Sequence, residues 1–269
     1  MYKNYNFPGM LLDRTHPLSR GLVGYWPINE GAGAGIMDLV SSNNGLGSNT
    51  SLWTGANVPS RAMKFVGTTT DFISVPYKSS MDLLNSATVC AWINTTSGAT
   101  ICPLARDVAT GRSWAFQFGA NVMQTLVFNT GGGGSTLLAG AIPVNNGKWN
   151  HCAFTYQFVT NGTSILTNYV NGQFDSVSVI AVGPINIVNS GLFFGKREFV
   201  GAEEAYVGSV AGVRIYNRAL PQNEIMQLAN LPFAGLKYSA TPLQLKKGHT
   251  ALAMPENGGQ IARFTYRQR

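Results

Sequence analysis

The chain has 269 residues, enough for one large all-β domain with appendages, and it is 45% hydrophobic with only 12% charged residues and 31 glycines. So few charges exclude an intrinsically disordered chain, and the glycine content suits a fold with many turns. The net charge is +7, with a pI near 9.4, but it is not spread evenly.

Residues 1–20 hold Lys3, Arg14 and Arg20 against Asp13, and residues 233–269 hold Lys237, Lys246, Lys247, Arg263, Arg267 and Arg269 against Glu256. The ends therefore carry +2 and +5, while the ten basic and ten acidic residues between them cancel. A high pI raises nucleic acid as a partner. Here the positive charge belongs to the ends and lacks the interleaved aromatics of a base-stacking platform, so nucleic acid is not expected. The N-terminus lacks the apolar core of a signal peptide, and no apolar run is long enough to span a bilayer. Synthesis in a cytoplasm without standard export is the expectation, with no membrane partner.

In chain order, residues 1–20 show no period and read as an extended arm with Tyr2, Tyr5 and Phe7. From Gly21 the texture changes. Short strands are predicted at 21–26, 62–66, 72–75, 88–93, 114–118, 125–128, 151–156, 165–170, 176–182, 192–195 and 208–216. Gly, Asn, Pro and Ser clusters separate them, including Gly131–Gly134, Asn161-Gly162 and Asn171-Gly172. Asn-Gly favours a two-residue hairpin because both central residues need positive φ. In 88–93, Val89, Ala91 and Ile93 alternate with Cys90 and Trp92. Both sets are apolar, so this strand is expected to be covered on both faces. One helix is predicted, at 221–229, with Pro221 at its first position and Ile225, Leu228 and Ala229 on one face. After Pro232 the chain turns basic, and residues 261–269 alternate Ala262, Phe264 and Tyr266 with arginines, as in a strand with one apolar and one cationic side.

The order of motifs resembles the laminin G-like, concanavalin A-like jelly-roll family found in phage and microbial surface proteins. Gly21-Leu22-Val23-Gly24-Tyr25-Trp26 with Asn29-Glu30-Gly31 is similar to its opening strand. Phe72-Ile73-Ser74-Val75-Pro76 and Thr88-Val89-Cys90-Ala91-Trp92-Ile93 resemble the hairpin and central strand that follow. Lys148-Trp149-Asn150-His151 looks like its tryptophan-histidine strand, and Tyr169-Val170-Asn171-Gly172-Gln173 the next hairpin. Gly208–Leu220 with Glu224-Ile225 resembles the closing strand and short helix. The resemblance implies an all-β, two-sheet antiparallel jelly-roll sandwich with one short C-terminal helix. The organisation expected is an N-terminal arm at 1–20, the sandwich at 21–232 and a basic C-terminal arm at 233–269. The segment 105–147 matches least and is read as an insertion or specialised loop.

The family also holds glycosidases, which need two carboxylates flanking the scissile bond. No strand here places acidic residues two apart. Glu203-Glu204 are adjacent and read as a solvated turn. His151 reads as a packing residue, Cys90 and Cys152 as buried free thiols, and no catalytic residue is assigned. No cofactor is expected other than calcium, for which Asp38 with Ser41 and Asn43 is the candidate. Asp38 reads equally as a turn-capping residue.

These readings lead to an expected non-enzymatic virion structural protein, a capsid decoration, head-fibre or tail subunit. Its terminal arms would dock it onto other virion proteins, including copies of itself. The expected assembly contacts are Tyr2, Tyr5, Phe7, Lys237, Lys246, Lys247, Arg263, Phe264, Tyr266, Arg267 and Arg269. The alternative is a carbohydrate-binding, lectin-like adhesion module that engages host-surface glycans. Trp53 and Trp114 are its candidate platforms, and each is also a candidate for the core.

Overall fold

The computed structural model describes residues 10–48, 53–55, 61–108, 111–130, 135–159, 163–180, 183–199, 202–238, 251–253 and 262–264. Two eight-stranded sheets dominate it. In the first, the order is Gln173–Ile180, Ser164–Val170, Asn150–Phe158, Ser86–Asn94, Val207–Tyr216, Arg61–Val66 and Trp53–Gly55, and Leu22–Trp26 also pairs with Val207–Tyr216. The second runs Ser135–Pro143, Val122–Phe128, Gly111–Gly119, Ile101–Val108, Leu192–Phe194, Ile73–Val75, Gly45–Gly47 and Gly35–Ile36. The pairings that define their registers are antiparallel, as in a jelly-roll sandwich.

Period-two alternation explains how the sheets meet. On Ser86–Asn94, Val89, Ala91 and Ile93 enter the main core, whereas Cys90 and Trp92 join separate clusters on the sheet's other face. Both faces are therefore covered, as their composition predicts. Facing strands supply Trp114, Phe116, Phe154 and Trp26 to the same core. Edge-on ring contacts lock them, with centroids 5.8 Å apart for Trp114 and Phe154 and 5.6 Å for Trp26 and Phe194.

The segment read as an insertion is a correction. Residues 101–143 form four consecutive strands of the second sheet, joined as a meander. Two of the four are expected as strands; the sequence hides their hairpin because Ala120 and Asn121 (φ 49° and 73°) make a tight two-residue turn without glycine, and it hides Ser135–Pro143 because the inward positions of its regular alternation are mostly only half-buried. The hairpin at Asn171-Gly172, by contrast, has the expected positive φ values of 52° and 79°.

The helix spans Gln222–Asn230, with Pro221 one position earlier than predicted, at the N-cap. Its Ile225 and Leu228 pack with Leu18, Tyr25, Cys90 and Tyr216 on the outer face of the first sheet. Arg214, buried beneath, lies over the Tyr25 ring at 4.0 Å and donates to the Pro232 carbonyl at 2.5 Å. Strand Met10–Leu12 pairs with Leu236–Tyr238, so both chain segments flanking the sandwich contribute to this cover. One compact unit runs through Lys237. A second comprises 238–269, where Ala251–Ala253 pairs with Ala262–Phe264.

Candidate functional site

The outer face of the second sheet carries a polar array. On Gly111–Gly119, Trp114, Phe116 and Phe118 face the core, which turns Ala115 and Gln117 outward. On Val122–Phe128, Met123 and Val127 face the core, which turns Gln124, Leu126 and Phe128 outward. Register sets Gln117 opposite Gln124 and Ala115 opposite Leu126. The two amides bond, Gln117 Nε2 donating to Gln124 Oε1 at 3.1 Å. Ala105, Ala115, Leu126, Phe128 and Cys102 form a small apolar floor beside them.

A charged network crosses this floor. Asp107 is fully buried and accepts from two arginines. Arg112 approaches it side-on, with Nε to Oδ1 at 2.8 Å and Nη2 to Oδ2 at 3.1 Å, while its guanidinium stacks on Phe128 at 3.9 Å. Arg197 Nε reaches Asp107 Oδ2 at 2.5 Å, and Arg197 Nη1 donates to Gln117 Oε1 at 2.6 Å and Glu204 Oε2 at 3.1 Å. Arg112 keeps 38% of its side chain exposed, against 5% for Arg197. A planar guanidinium suits such a crowded role because its fork of donors serves several acceptors at once.

Arg197 arrives on a hairpin of Lys196–Phe199 and Ala202–Ala205 that the sequence did not reveal. The solvated-turn reading of Glu203-Glu204 is therefore corrected: the pair lies on a strand, and Glu204 binds a buried arginine. At the hairpin's start the Lys196 ammonium stands 3.8 Å from the Phe72 ring centroid and pairs with Glu198. The signal was five charged residues within Lys196–Glu204, a density unusual for this chain.

This geometry is not that of a glycosidase pair. Asp107 and Glu204 both face Arg197, so a cation stands between the two carboxylates. A glycosidase pair must instead flank a bond with one member protonated. What the face presents is a half-exposed arginine, an anchored amide and the exposed Leu137.

The other candidates fall elsewhere. Asp38 accepts from Tyr25 N, Val40 N, Ser41 N, Ser41 Oγ and Asn43 N, all within 3.0 Å, which is the turn-capping role. No group of three or more metal-ligating side chains occurs among the described residues. Trp114 is buried in the core and is not a glycan platform; its place opposite Phe154 is set by strand alternation. Trp53 packs against the core edge and donates its indole N–H to the Gly33 carbonyl at 2.6 Å. His151 is fully buried edge-on to Trp92 at 5.4 Å, and desolvation, aided by the charge of Arg214, pulls its pKa down to about 3. Cys90, Cys102 and Cys152 are buried free thiols, and burial pushes the Cys90 thiol up to about 11.

Of the expected assembly contacts, Lys237 is exposed 3.8 Å from Asp13, and Arg263 and Phe264 lie on Ala262–Phe264. Tyr2, Tyr5, Phe7, Lys246, Lys247, Tyr266, Arg267 and Arg269 lie outside the described residues, as do Gly131–Gly134 and Asn161-Gly162.

Residues 67–226 match the laminin G-like family described as the concanavalin A-like lectin/glucanases superfamily, and the chain belongs to it. A search of curated protein sequences finds no relative. Among solved structures, the fold is similar to the binding domain of Paraclostridial Mosquitocidal Protein 1 (TM-score 0.63, 17% identity, 80% of this chain and 53% of that one). It is also similar to the botulinum neurotoxin serotype G binding domain (TM-score 0.59, 12% identity, 79% and 51%). A third is the binding domain of botulinum neurotoxin DC in complex with rat synaptotagmin II (TM-score 0.58, 12% identity, 78% and 51%). The chain spans about half the length of each.

Proposed function

We propose that this protein is a non-catalytic recognition module that binds surface carbohydrate through the outer face of its second sheet. The observation that carries the reading is the Arg112–Asp107–Arg197–Gln117–Gln124 array, built on a member of a lectin-type family. Its members hold one another in place, so a polar ligand meets oriented groups without ordering them first. The description of structurally similar domains as binding domains adds support. The test is a glycan array probed with the full chain and with Arg112→Ala and Gln124→Ala. Selective binding that weakens at least tenfold in both variants is expected. No selective binding, or binding indifferent to both, overturns the reading.

The charge partition favours a second reading, a virion structural subunit docked through basic ends around a neutral body. It places the chain on the virion after synthesis in a host cytoplasm, and its partners would be other virion proteins. Mass spectrometry of purified virions that finds no trace of the chain would remove it. The recognition reading is preferred because it accounts for a built surface.

A further inference from the structure

The sheet edges differ in how they are guarded. An edge strand offers unpaired backbone groups, and proteins that stay single blunt it with brevity, charge, proline or a covering group. Among the described residues, the first sheet ends on the three-residue Trp53–Gly55 and the second on the two-residue Gly35–Ile36. The second sheet's other edge, Ser135–Pro143, ends in proline, and Asp175 Oδ1 accepts from its Ala141 and Ile142 N–H groups at 2.8 Å each.

Among the described residues, the remaining edge, Gln173–Ile180, carries such devices only at its start and is open from Ser176 to Ile180. It is eight residues long, about 26 Å, with no lysine, arginine or proline. A bulge marks its start, where register shifts opposite Asn168 and Tyr169, and pairing is regular from Ser176 to Ile180. Its outward face shows Val177 and Val179 at 50% and 70% exposure, with Phe174 at 50% and Ile165 of the neighbouring strand at 38%. The only charge, Asp175, is turned back onto its own second sheet.

We infer that Gln173–Ile180 is a self-association edge, pairing antiparallel with the same strand of a second copy to make one continuous sheet. Charge supports this occupant: with Asp175 held internally, two copies meet along the seam without facing like charges. The alternating Ser176-Val177-Ser178-Val179 run is self-complementary. A two-fold axis through Ser178 puts Val177 of each copy opposite Val179 of the other on the outer face, and Ser178 opposite Ser178. Such cross-strand β-branched pairs stabilise sheets, and an isologous contact of this kind closes at two subunits. The pairing stands independently of glycan recognition, because its edge lies on the first sheet.

Sedimentation velocity of the full chain at micromolar concentration tests it. Twice the 28.8 kDa chain mass is expected. Val177→Lys and Val179→Lys should shift the species to single mass while circular dichroism stays unchanged. Ser178→Cys should cross-link to a covalent dimer on mild oxidation, because directly opposite residues fall within disulfide reach and the native cysteines are buried. A monomeric wild type, or a dimer unaffected by both lysine variants, overturns the inference. So does a chain that stays single and takes up an extended peptide at this edge instead.

Discussion

Two buried side chains show how far single residues control this molecule. Asp107 is fully buried, and its charge is matched by Arg197 and Arg112. Removing one partner of a buried pair leaves an uncompensated charge and typically costs about 3–5 kcal/mol. Asp107→Asn is therefore expected to lower the calorimetric Tm by on the order of 10 °C. His151 acts through pH. Its ring is neutral in the fold, with the pKa pulled down to about 3, whereas the unfolded chain takes up the proton near the ordinary value of 6.5. The unfolded state binds more protons throughout that interval, so stability is full above about pH 6.5 and falls as pH drops toward 3. The slope is up to about 1.4 kcal/mol per pH unit. Urea denaturation at pH 7.0 and 4.5 should show this loss, and His151→Phe should remove most of it.

At the scale of elements, local chemistry decided what the sequence disclosed. The central strand, the helix and the Asn171-Gly172 hairpin were legible because each carries a local code: two-sided apolar alternation, a proline start, a paired positive-φ turn. The Lys196–Ala205 hairpin carries none, since its strands are charged and short and its role comes from a distant partner, Asp107. The candidate site was hidden for the same reason. Gln117 and Gln124 lie seven residues apart in unremarkable strands, and only the Ala120-Asn121 turn sets them opposite each other. The legible hairpin yields a prediction. Asn171 holds a positive φ and also accepts from His151 N at 2.9 Å and donates to Asn150 Oδ1 at 3.0 Å. Asn171→Ala should cost about 1–3 kcal/mol from both backbone strain and lost bonds. Asn171→Gly should recover the strain component alone, and comparing the two by urea denaturation separates the contributions.

At the scale of the whole molecule, the chain divides into two compact units, one through Lys237 and one of residues 238–269. A chain ending at Lys237 is expected to melt within about 2 °C of the full chain, since among the described residues no core residue of the sandwich lies beyond Lys237. A much lower Tm in differential scanning calorimetry would show that the two units support each other. The topology also bears on how the protein is made. Val207–Tyr216 is the central plank of the first sheet, joining Ser86–Asn94 to Arg61–Val66 and Leu22–Trp26. On a ribosome adding about 5–20 residues per second, its first residue follows Asn94 by on the order of ten seconds. For that interval the early strands wait without their shared neighbour, their apolar edges open to the cell. The nascent chain should therefore be a client of chaperones, which shield it until the plank arrives.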